Sequence, residues 1–544
     1  MPNILPLRAR IGGRLGRLGA TRPFHHWLLA ALSGALFALS FPRFGHPALG
    51  WVALVPLLIA LGRPAGSERR PVLLGLITGI VGFSGTLYWL TDVMTMYGDL
   101  SSGVAAAVAL LLIVYLSLYP ALVAHILGRG VRAFGPRALW AAPLIWSAGE
   151  WARGHVMTGF PWVPLGNSQI DVVPIAQAAS LVGVYGLSAL VVLASVAMAW
   201  LVVAPAGRQR VVPVAAVAAL TAAIALWGSL RAGGGALLTQ GTTLRVALVQ
   251  GNVAQGQKWN PALADLIYRR YLALSRAAVA QGATVVMWPE SATPFMFEER
   301  PEAEAMRLLA RETGARLFVG SDQVERRAKP PRYYNSAFLI QPTGSVGGIY
   351  RKIHLVPFGE YVPLESILSF AGPLVEQVGG FAPGETLTVF HLREGTFTTG
   401  ICYEAVFPEL SRAAVQRGSQ LLTSITNDAW FGRSSAPWQH LAMARMRSVE
   451  TGRYLARAAN TGVSAIVDPY GRVVQQTPLF TETVAVGEVR FLDGTTVYVR
   501  IGDVVPWAGL VVAIGLWGLS ARGRRRSASA SPPPSGDPRA VHRS

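Results

Sequence analysis

Long apolar stretches constrain the fold of this chain more than any other feature of its sequence. A membrane-crossing helix needs about 20 consecutive apolar residues. Windows of that length lie near residues 26–42, 46–62, 72–92, 102–128, 136–151, 174–204, 211–229 and 503–520. No small-residue cleavage pattern follows the first run, so we interpret it as a retained helix rather than a removed signal peptide. The sequence therefore predicts a polytopic α-helical membrane domain with about eight spans.

The composition favours a membrane protein with a soluble part. Of the 544 residues, 51% are hydrophobic and 14% are charged, and the mean hydropathy is +0.39. The hydrophobic residues concentrate at 27–230 and 503–520, whereas 243–492 has the charge density of a soluble domain. The predicted division is a basic arm (1–25), a membrane domain of about seven spans (26–230), a soluble domain (243–492), a final transmembrane helix (503–520) and a basic, disordered tail (521–544).

The positions of the arginines predict the orientation in the membrane. The net charge of +19 does not indicate nucleic-acid binding, because the basic residues do not cluster on a folded domain. They flank the apolar runs instead, and such residues stay on the cytoplasmic side of a bilayer. The arginines concerned are Arg8, Arg10, Arg14, Arg17, Arg22, Arg63, Arg69, Arg70, Arg129, Arg132, Arg137, Arg208, Arg210, Arg522, Arg524, Arg525 and Arg526. Seven crossings then place 230–502 outside the cytoplasm, and the eighth returns the chain, so that both termini lie inside.

From Thr243 the pattern changes to alternating strands and helices, which favours an α/β layered domain. The predicted strands cover 244–250, 283–290, 315–321, 334–341, 346–352 and 420–427, with a last sheet region through 456–491. The predicted helices cover 261–281, 301–313, 405–417 and 438–453.

Cys402 is the only cysteine in the chain, and it lies where a strand pattern gives way to a helix pattern. A turn of that kind exposes a nucleophile at a sheet edge and points helix N–H groups at it, which favours the thiolate. A buried structural cysteine is the alternative. A single thiol also fits an oxidising compartment, because it has no partner within the chain.

Two other segments place polar residues at the ends of apolar strands. Residues 283–290 end at Glu290, and residues 348–363 carry Lys352 and then Glu360. A carboxylate can act as a base towards a thiol, a lysine can stabilise an oxyanion, and a thiol can form a covalent intermediate. Each residue alone is a weak signal, but with Cys402 they predict an acyl-transfer site.

These three segments, in this order, resemble the Glu-Lys-Cys triad of the nitrilase superfamily at Glu290, Lys352 and Cys402. The runs Pro-Phe-Gly-Glu-Tyr-Val-Pro at 357–363 and Asn-Asp-Ala-Trp-Phe-Gly at 427–432, with the membrane segments, are similar to the bacterial apolipoprotein N-acyltransferases. The resemblance covers nearly the whole chain. It implies an extracytoplasmic α/β nitrilase-like domain, an α-β-β-α sandwich of two sheets between helical layers, on a multi-pass protein of the bacterial inner membrane.

The resemblance also implies a reaction. Glu290 takes the proton of Cys402, whose thiolate attacks a phospholipid ester, and Lys352 with the Tyr403 backbone N–H holds the oxyanion. The acyl chain then passes from the thioester to the N-terminal amine of a diacylglyceryl apolipoprotein. No cofactor is expected, and the nine histidines show no metal-binding spacing.

Further residues are candidates by resemblance. Glu360 and Glu404 are expected to orient Lys352 and tune the pKa values of the site, with a structural ion pair as the alternative. Trp259 and Trp430 match family positions near the substrate, with core packing as the alternative.

The loop after the fifth span and a region near 370 supply two more candidates. Arg153 could hold a lipid phosphate through a bidentate contact, or it could snorkel from a helix end. Residues 367–375, with glycine hinges at 378–381, are a candidate lid or an ordinary surface loop.

Two other functions share part of the pattern. A membrane-anchored carbon-nitrogen hydrolase, an amidase acting on a small amide, would use the same triad, but one span would suffice to anchor it. A transporter with an extracytoplasmic sensor domain would bury ionisable residues in mid-span. The ionisable residues found there, Glu150 and Arg153, lie near a span end.

Overall fold

A computed structural model describes residues 23–63, 69–98, 100–297, 303–357, 359–361 and 380–529. Most of the predicted basic arm, the candidate lid up to residue 379 and the predicted tail from residue 530 lie outside the described residues.

Helices form the N-terminal part of the structure and its C-terminal end. Apolar sequences of this kind become helical because a helix satisfies its own backbone hydrogen bonds. The helices there are Pro23–Leu39 (α1), Pro47–Val52 (α2), Val55–Gly62 (α3), Arg70–Leu87 (α4), Trp89–Tyr97 (α5), Ser102–Phe134 (α6), Ala142–Arg153 (α7), Val173–Ala176 (α8), Ala179–Val203 (α9), Arg208–Gly233 (α10), Ala236–Thr239 (α11), and, at the other end, Val497–Ile501 (α16) and Val504–Ser529 (α17). Short 3₁₀ turns lie at Pro136–Ala141, Val156–Thr158 and Leu165–Gln169.

Five helices in the described part of the chain are long and apolar enough to cross a membrane. They are Arg70–Leu87, Ser102–Phe134, Ala179–Val203, Arg208–Thr239 and Val504–Arg522, and shorter apolar helices cover His25–Leu39 and Pro47–Gly62. The candidate span at 136–151 becomes a 3₁₀ turn followed by a helix of 12 residues. Several apolar helices are therefore present as expected, and the count of eight spans stays a prediction.

Small residues let these helices approach closely. A Cβ added at Gly79 of α4 would lie 2.7 Å from the Ser117 Cβ and 2.8 Å from the Pro120 Cγ of α6. A Cβ at Gly34 of α1 would lie 2.8 Å from the Val81 Cβ of α4. Such contacts are typical of helices that associate in lipid, where close packing replaces the hydrophobic driving force.

The C-terminal part contains two six-stranded sheets. Strand order is β12-β1-β2-β3-β4-β5 in the first sheet and β11-β10-β9-β8-β7-β6 in the second. The strands are Thr242–Gln250 (β1), Val285–Met287 (β2), Arg316–Glu325 (β3), Arg332–Ile340 (β4), Val346–Arg351 (β5), Phe390–His391 (β6), Thr396–Ile401 (β7), Leu421–Thr426 (β8), Leu455–Ala459 (β9), Ala465–Val467 (β10), Val473–Gln476 (β11) and Thr483–Phe491 (β12). Parallel pairing joins β1 to β2 to β3, and β7 to β8 to β9.

The two sheets pack face to face, with helices on both outer sides. Phe318 of the first sheet contacts Phe390 and Phe397 of the second at ring-centroid distances of 5.1 and 5.2 Å. The helices of this domain are Ala264–Ala280 (α12), Ala303–Thr313 (α13), Pro408–Gln416 (α14) and Ala436–Thr451 (α15). Helices α12 and α13 cover the first sheet, and α14 and α15 cover the second. The predicted α-β-β-α sandwich is confirmed.

Three predicted boundaries are wrong, and two of them have a local cause. The strand predicted to end at Glu290 ends at Met287, because Pro289 has no N–H for the ladder. The helix predicted from residue 405 begins at Pro408, since proline suits the first helical position. The last helix continues to Ser529, so the disorder predicted for the tail (521–544) is wrong for 521–529.

The segment that follows α7 connects the helical part to the sandwich. Trp162 donates its indole N–H to Gln439 Oε1 at 2.8 Å, and the Val163 N–H points at the Met443 sulfur at 3.2 Å. The Tyr403 hydroxyl donates to the Gly159 carbonyl at 3.2 Å. The residue next to Cys402 therefore rests directly on the helical part.

Candidate active site

The cysteine lies in a strained turn at the end of a strand. Strand β7 ends at Ile401, and Cys402 opens the 3₁₀ turn Cys402–Val406 with a φ of +51°. A left-handed backbone at a residue other than glycine costs on the order of 1–3 kcal/mol and persists only where its surroundings enforce it. Glu404 supplies part of that enforcement, since its Oε2 accepts the Ile401 N–H at 2.7 Å.

Glu404 ties the cysteine turn to the segment that follows Lys352. Its Oε1 accepts from the Tyr350 hydroxyl at 2.7 Å and from the N–H groups of Ile353 at 2.7 Å and His354 at 3.0 Å. Burial raises the pKa of Glu404, and the backbone donors act in the opposite direction. Glu404 therefore positions two segments relative to each other and makes no described hydrogen bond with the Lys352 ammonium.

Lys352 lies between two carboxylates. Its side chain is 1% exposed, and its Nζ donates to Glu360 Oε1 at 2.9 Å and to Glu290 Oε1 at 3.4 Å. Burial alone would lower the pKa of Lys352, but the two carboxylates raise it above its ordinary value. The lysine is therefore a fixed positive charge, and Glu360, which also accepts the Val356 N–H at 2.8 Å, holds it.

Asn335 is a member of this cluster that the sequence interpretation missed. Its Nδ2 donates to Glu290 Oε1 at 2.7 Å and to Glu360 Oε1 at 3.0 Å. It lies inside β4, and a polar residue in a buried stretch of strand was the only signal that could have found it.

Glu290 is ionised despite its burial. Burial alone would raise its pKa, but the charges of Lys352 and Lys258 lower it. A hydrogen bond at 2.8 Å from the Asn427 N–H to Oε2 acts in the same direction. A charged carboxylate therefore lies beside the cysteine, in the state that a general base requires.

The thiol of Cys402 is protonated at rest, which corrects the expectation that its turn favours the thiolate. Burial and the Glu290 carboxylate raise the pKa of Cys402, and Lys352 offsets only part of that increase. The expected helix N-terminus is only a five-residue 3₁₀ turn, so its dipole cannot outweigh burial. A base is therefore needed to convert this thiol to a thiolate.

Lys258 is a second buried cation that the sequence interpretation missed. Its Nζ donates to the Glu290 carbonyl at 3.2 Å, and burial lowers its pKa. Asp322 lies nearby and accepts from the Ser291 hydroxyl at 2.7 Å. Burial raises the pKa of Asp322 to about 6, although Lys258 acts in the opposite direction. The sequence signal that could have identified Lys258 is its position directly before Trp259, a predicted substrate-binding residue.

The two predicted substrate tryptophans lie outside the core. Trp259 is 47% exposed, so core packing is excluded for it. Trp430 is partly buried in the 3₁₀ turn Asp428–Phe431, where its ring meets Tyr97 edge to face at 5.0 Å. Both rings are available at the surface of the protein.

Arg153 is buried and does not snorkel. It is 2% exposed, and its Nη1 donates to the carbonyls of Phe160 at 2.8 Å and Trp162 at 2.7 Å. Its guanidinium lies 5.3 Å from the centre of the Phe83 ring. Arg153 also lines a small cavity among α1, α4, α6 and α7. The arginine thus fixes the segment that carries Trp162 to the sandwich.

The fold and this cluster define a membrane-associated protein of the nitrilase type, with an ionised glutamate, a lysine and a cysteine at one point. No group of three or more metal-ligating side chains suited to a metal ion occurs among the described residues. The family model for carbon-nitrogen hydrolases matches residues 245–496, and that for the N-terminal domain of apolipoprotein N-acyltransferases matches residues 33–197.

Curated relatives agree over most of the chain. An apolipoprotein N-acyltransferase of Geobacter metallireducens is 44% identical, with 89% of this chain and 93% of the relative covered. That of Methylococcus capsulatus is 34% identical, with 92% and 97% covered. A solved structure of Nit3 from Saccharomyces cerevisiae is 21% identical over 46% of this chain and 90% of its own, with a TM-score of 0.36. This chain belongs to the apolipoprotein N-acyltransferase family.

Proposed function

We propose that this chain moves a fatty acyl chain from a membrane phospholipid, through a thioester on Cys402, to the N-terminal amine of a diacylglyceryl-cysteine lipoprotein. The observation that carries the proposal is the joining of a nitrilase-type cluster to several apolar helices in one chain. A hydrolase acting on a small soluble amide shares the cluster, but it has no use for so many apolar helices.

In the first half-reaction, Glu290 Oε takes the proton of the Cys402 thiol as the sulfur attacks the ester carbonyl carbon. The negative charge that develops on the carbonyl oxygen is stabilised by Lys352 and the Tyr403 N–H. The carbon–oxygen bond to the glycerol then breaks, and the leaving oxygen takes the proton from Glu290. A lysophospholipid departs and the acyl group stays on sulfur.

In the second half-reaction, the lipoprotein amine attacks the thioester carbonyl and forms the amide bond. Glu290 accepts a proton from the attacking nitrogen and passes it to sulfur as the carbon–sulfur bond breaks, which restores the thiol. The raised pKa of Cys402 suits the start and the end of this cycle, because the resting residue is a thiol rather than an oxidisable thiolate.

We assign the remaining candidates by their contacts. Glu360 holds the Lys352 ammonium, and Glu404 holds the backbone around both Lys352 and Cys402. Trp259 and Trp430 offer aromatic surface to the lipid substrates. For Arg153 we propose anchoring of the 154–163 segment in place of phosphate binding, because its Nη1 already serves two carbonyls.

We further propose the finer topology that the arginine distribution predicts. Eight spans would place the sandwich, residues 243–492, on the outer face of the inner membrane, with the arm (1–25) and the tail (521–544) in the cytoplasm. Residues 26–230 would carry seven of the spans and residues 503–520 the last. Phospholipid and lipoprotein would then reach Cys402 from the outer leaflet.

Acylation of the purified protein tests the reaction. The full chain in detergent is incubated with phosphatidylethanolamine labelled in its acyl chains, and the label on the protein is followed. We expect a stoichiometric adduct that hydroxylamine removes and that the Cys402→Ala variant does not form. Addition of a synthetic diacylglyceryl-cysteine peptide should discharge the adduct into an amide. A wild-type protein that hydrolyses small amides and takes no label would favour the amidase.

Labelling in intact cells tests the topology. In a Cys402→Ala background, single cysteines replace two exposed residues, Glu312 of the sandwich and Arg208 at the start of α10. A maleimide that does not cross the inner membrane should label the Glu312→Cys variant and spare the Arg208→Cys variant. The reverse pattern would overturn the proposed orientation without affecting the proposed chemistry.

A further inference from the structure

Three buried polar side chains that the proposed chemistry does not use lie against the Cys402 turn. Asp428 follows β8, His440 belongs to α15 and Arg457 belongs to β9. Arg457 Nη2 lies 2.9 Å from Asp428 Oδ2 and 3.1 Å from His440 Nδ1. His440 Nε2 lies 3.0 Å from the carbonyl oxygen of Cys402. The cluster therefore ends on a backbone atom of the nucleophilic residue.

The partners of the His440 ring decide where its proton lies. A carbonyl oxygen can only accept a hydrogen bond, so Nε2 must carry the proton that points at Cys402. In the neutral ring Nδ1 is then an acceptor, and Arg457 Nη2 is its donor. Asp428 Oδ1, 3.1 Å from Nδ1, could accept only from a doubly protonated ring. Burial and the charge of Arg457 lower the pKa of His440, which favours the neutral ring.

The hydrogen bond from His440 constrains a second group on the same peptide plane. The peptide bond between Cys402 and Tyr403 is planar, and in the trans form its C=O and N–H point in opposite directions. The direction of the Cys402 carbonyl therefore sets the direction of the Tyr403 N–H. That N–H lies in the first turn of the Cys402–Val406 helix, where backbone donors have no partner inside the turn.

We infer that His440 is a positioning residue of the oxyanion site, which holds the Cys402–Tyr403 peptide so that the Tyr403 N–H faces the reacting carbonyl. Asp428 and Arg457 fix the ring in the orientation and tautomer that this contact needs. Donation to the carbonyl also polarises the peptide and makes its N–H a stronger donor. The inference rests on the proposed function, because it concerns the acylation of Cys402.

The surroundings of His440 leave its ring little freedom. The side chain is fully buried, and its ring packs against Trp162 at 5.8 Å and Phe431 at 6.3 Å between centroids. Trp162 belongs to the segment that Arg153 anchors. The position of the oxyanion donor is thus set by residues of both the sandwich and the helical part.

Two amide substitutions separate the contact to Cys402 from the contact to Arg457. The amide of glutamine reaches the place of the ring Nε2, whereas that of asparagine reaches only the place of Nδ1. We expect the His440→Asn variant to lower the rate constant of acylation by labelled phosphatidylethanolamine about 10- to 100-fold, less than the loss of an oxyanion donor itself. The His440→Gln variant should recover most of the rate, and the KM for the lipid should change in neither.

The rate at which iodoacetamide alkylates Cys402 distinguishes a positioning role from a structural one. If His440 only maintained the structure around Cys402, its substitution would change this rate as well. Alkylation displaces iodide in one step and forms no oxyanion, so it needs the thiol but not the Tyr403 N–H. We expect wild-type alkylation rates in both variants and in the exposed His391→Gln control. Unchanged acylation in His440→Asn, or acylation and alkylation falling together, would overturn the inference. A wild-type protein that forms no thioester would overturn the proposed function instead.

Discussion

In the helical part, α1, α4 and α6 meet at small residues, whereas the sandwich domain buries charged groups in networks of hydrogen bonds around its candidate site. Gly79 illustrates the first case, because any Cβ there meets Ser117. Lys352 and Arg457 illustrate the second, since each lies buried against a carboxylate at 2.9 Å. Burial of a charge is expensive, so such pairs are expected where chemistry needs them. Substitutions in the two regions should therefore fail in different ways.

Removal of the Lys352 charge should have the largest effect on activity. In a Lys352→Met variant, Glu290 and Glu360 lose the cation that contacts both of them, and the proposed oxyanion loses a donor. We expect the acylation rate constant to fall by about 10³-fold or more, as single-turnover labelling of Cys402 would measure. The same substitution at the exposed Lys329 is the control. A Lys352→Met variant that acylates at the wild-type rate would exclude this lysine from the site.

The Glu404→Gln substitution should lower activity by displacing neighbouring segments of the site, and not by removing a charge that contacts the transition state. The amide nitrogen cannot accept the hydrogen bonds that one carboxylate oxygen receives, so either the Cys402 turn or the segment after Lys352 loses its anchor. We expect acylation to fall about 10- to 100-fold, with a loss of stability of about 1–3 kcal/mol. Activity and thermal unfolding would be measured on the same preparation, with Glu312→Gln as an exposed control. A loss of stability alone would make Glu404 purely structural.

Gly79→Val should show the opposite pattern. The added side chain meets α6 at Ser117 and Pro120, and overpacking of this kind costs about 1–3 kcal/mol. We expect a lower melting temperature in detergent and normal acylation per folded molecule. The control is Gly103→Val in α6, where a Cβ meets no atom within 4 Å among the described residues. Loss of acylation in the folded fraction of Gly79→Val would show that helix packing in this region also controls the candidate active site.

Asp322→Asn should produce the smallest change, visible as a pH dependence. The pKa of Asp322 is about 6, so its carboxylate becomes charged as the pH rises through that value. The new charge repels that of Glu290 and makes Glu290 a stronger base, so acylation should rise about threefold between pH 5 and pH 7. This rise in the acylation rate with pH should be absent in Asp322→Asn and should persist in the exposed Asp265→Asn control. An identical profile in the asparagine variant would assign the titration to another group.

Much of the architecture follows from local patterns. Short apolar runs predicted β1, β4 and β8 to within two residues, because most positions of these strands are buried. The lone cysteine and its two polar partners were predicted as one site by resemblance, and the structure brings Lys352 to 3.4 Å from Glu290. Their catalytic roles stay predictions until the acylation experiment is done.

Other members of the site have no local pattern. Asn335 looks like any polar residue in a strand, and only the place of β4 between β3 and β5 in the sheet brings it to both carboxylates. His440 lies in α15, where the spacing of apolar residues does not mark it as a site residue. Its proposed positioning role follows from the contact between its ring and the Cys402 carbonyl. Such roles depend on contacts between segments far apart in the chain, which no local periodicity encodes.

The sequence by itself determined that this chain combines apolar helices with an α/β layered domain and carries one thiol at a strand end, because hydrophobic spacing and residue count are local properties. Only the tertiary structure decided that the thiol is protonated and its neighbouring carboxylate ionised. Those states depend on burial and on the distances between charges, and both are set by how distant segments pack.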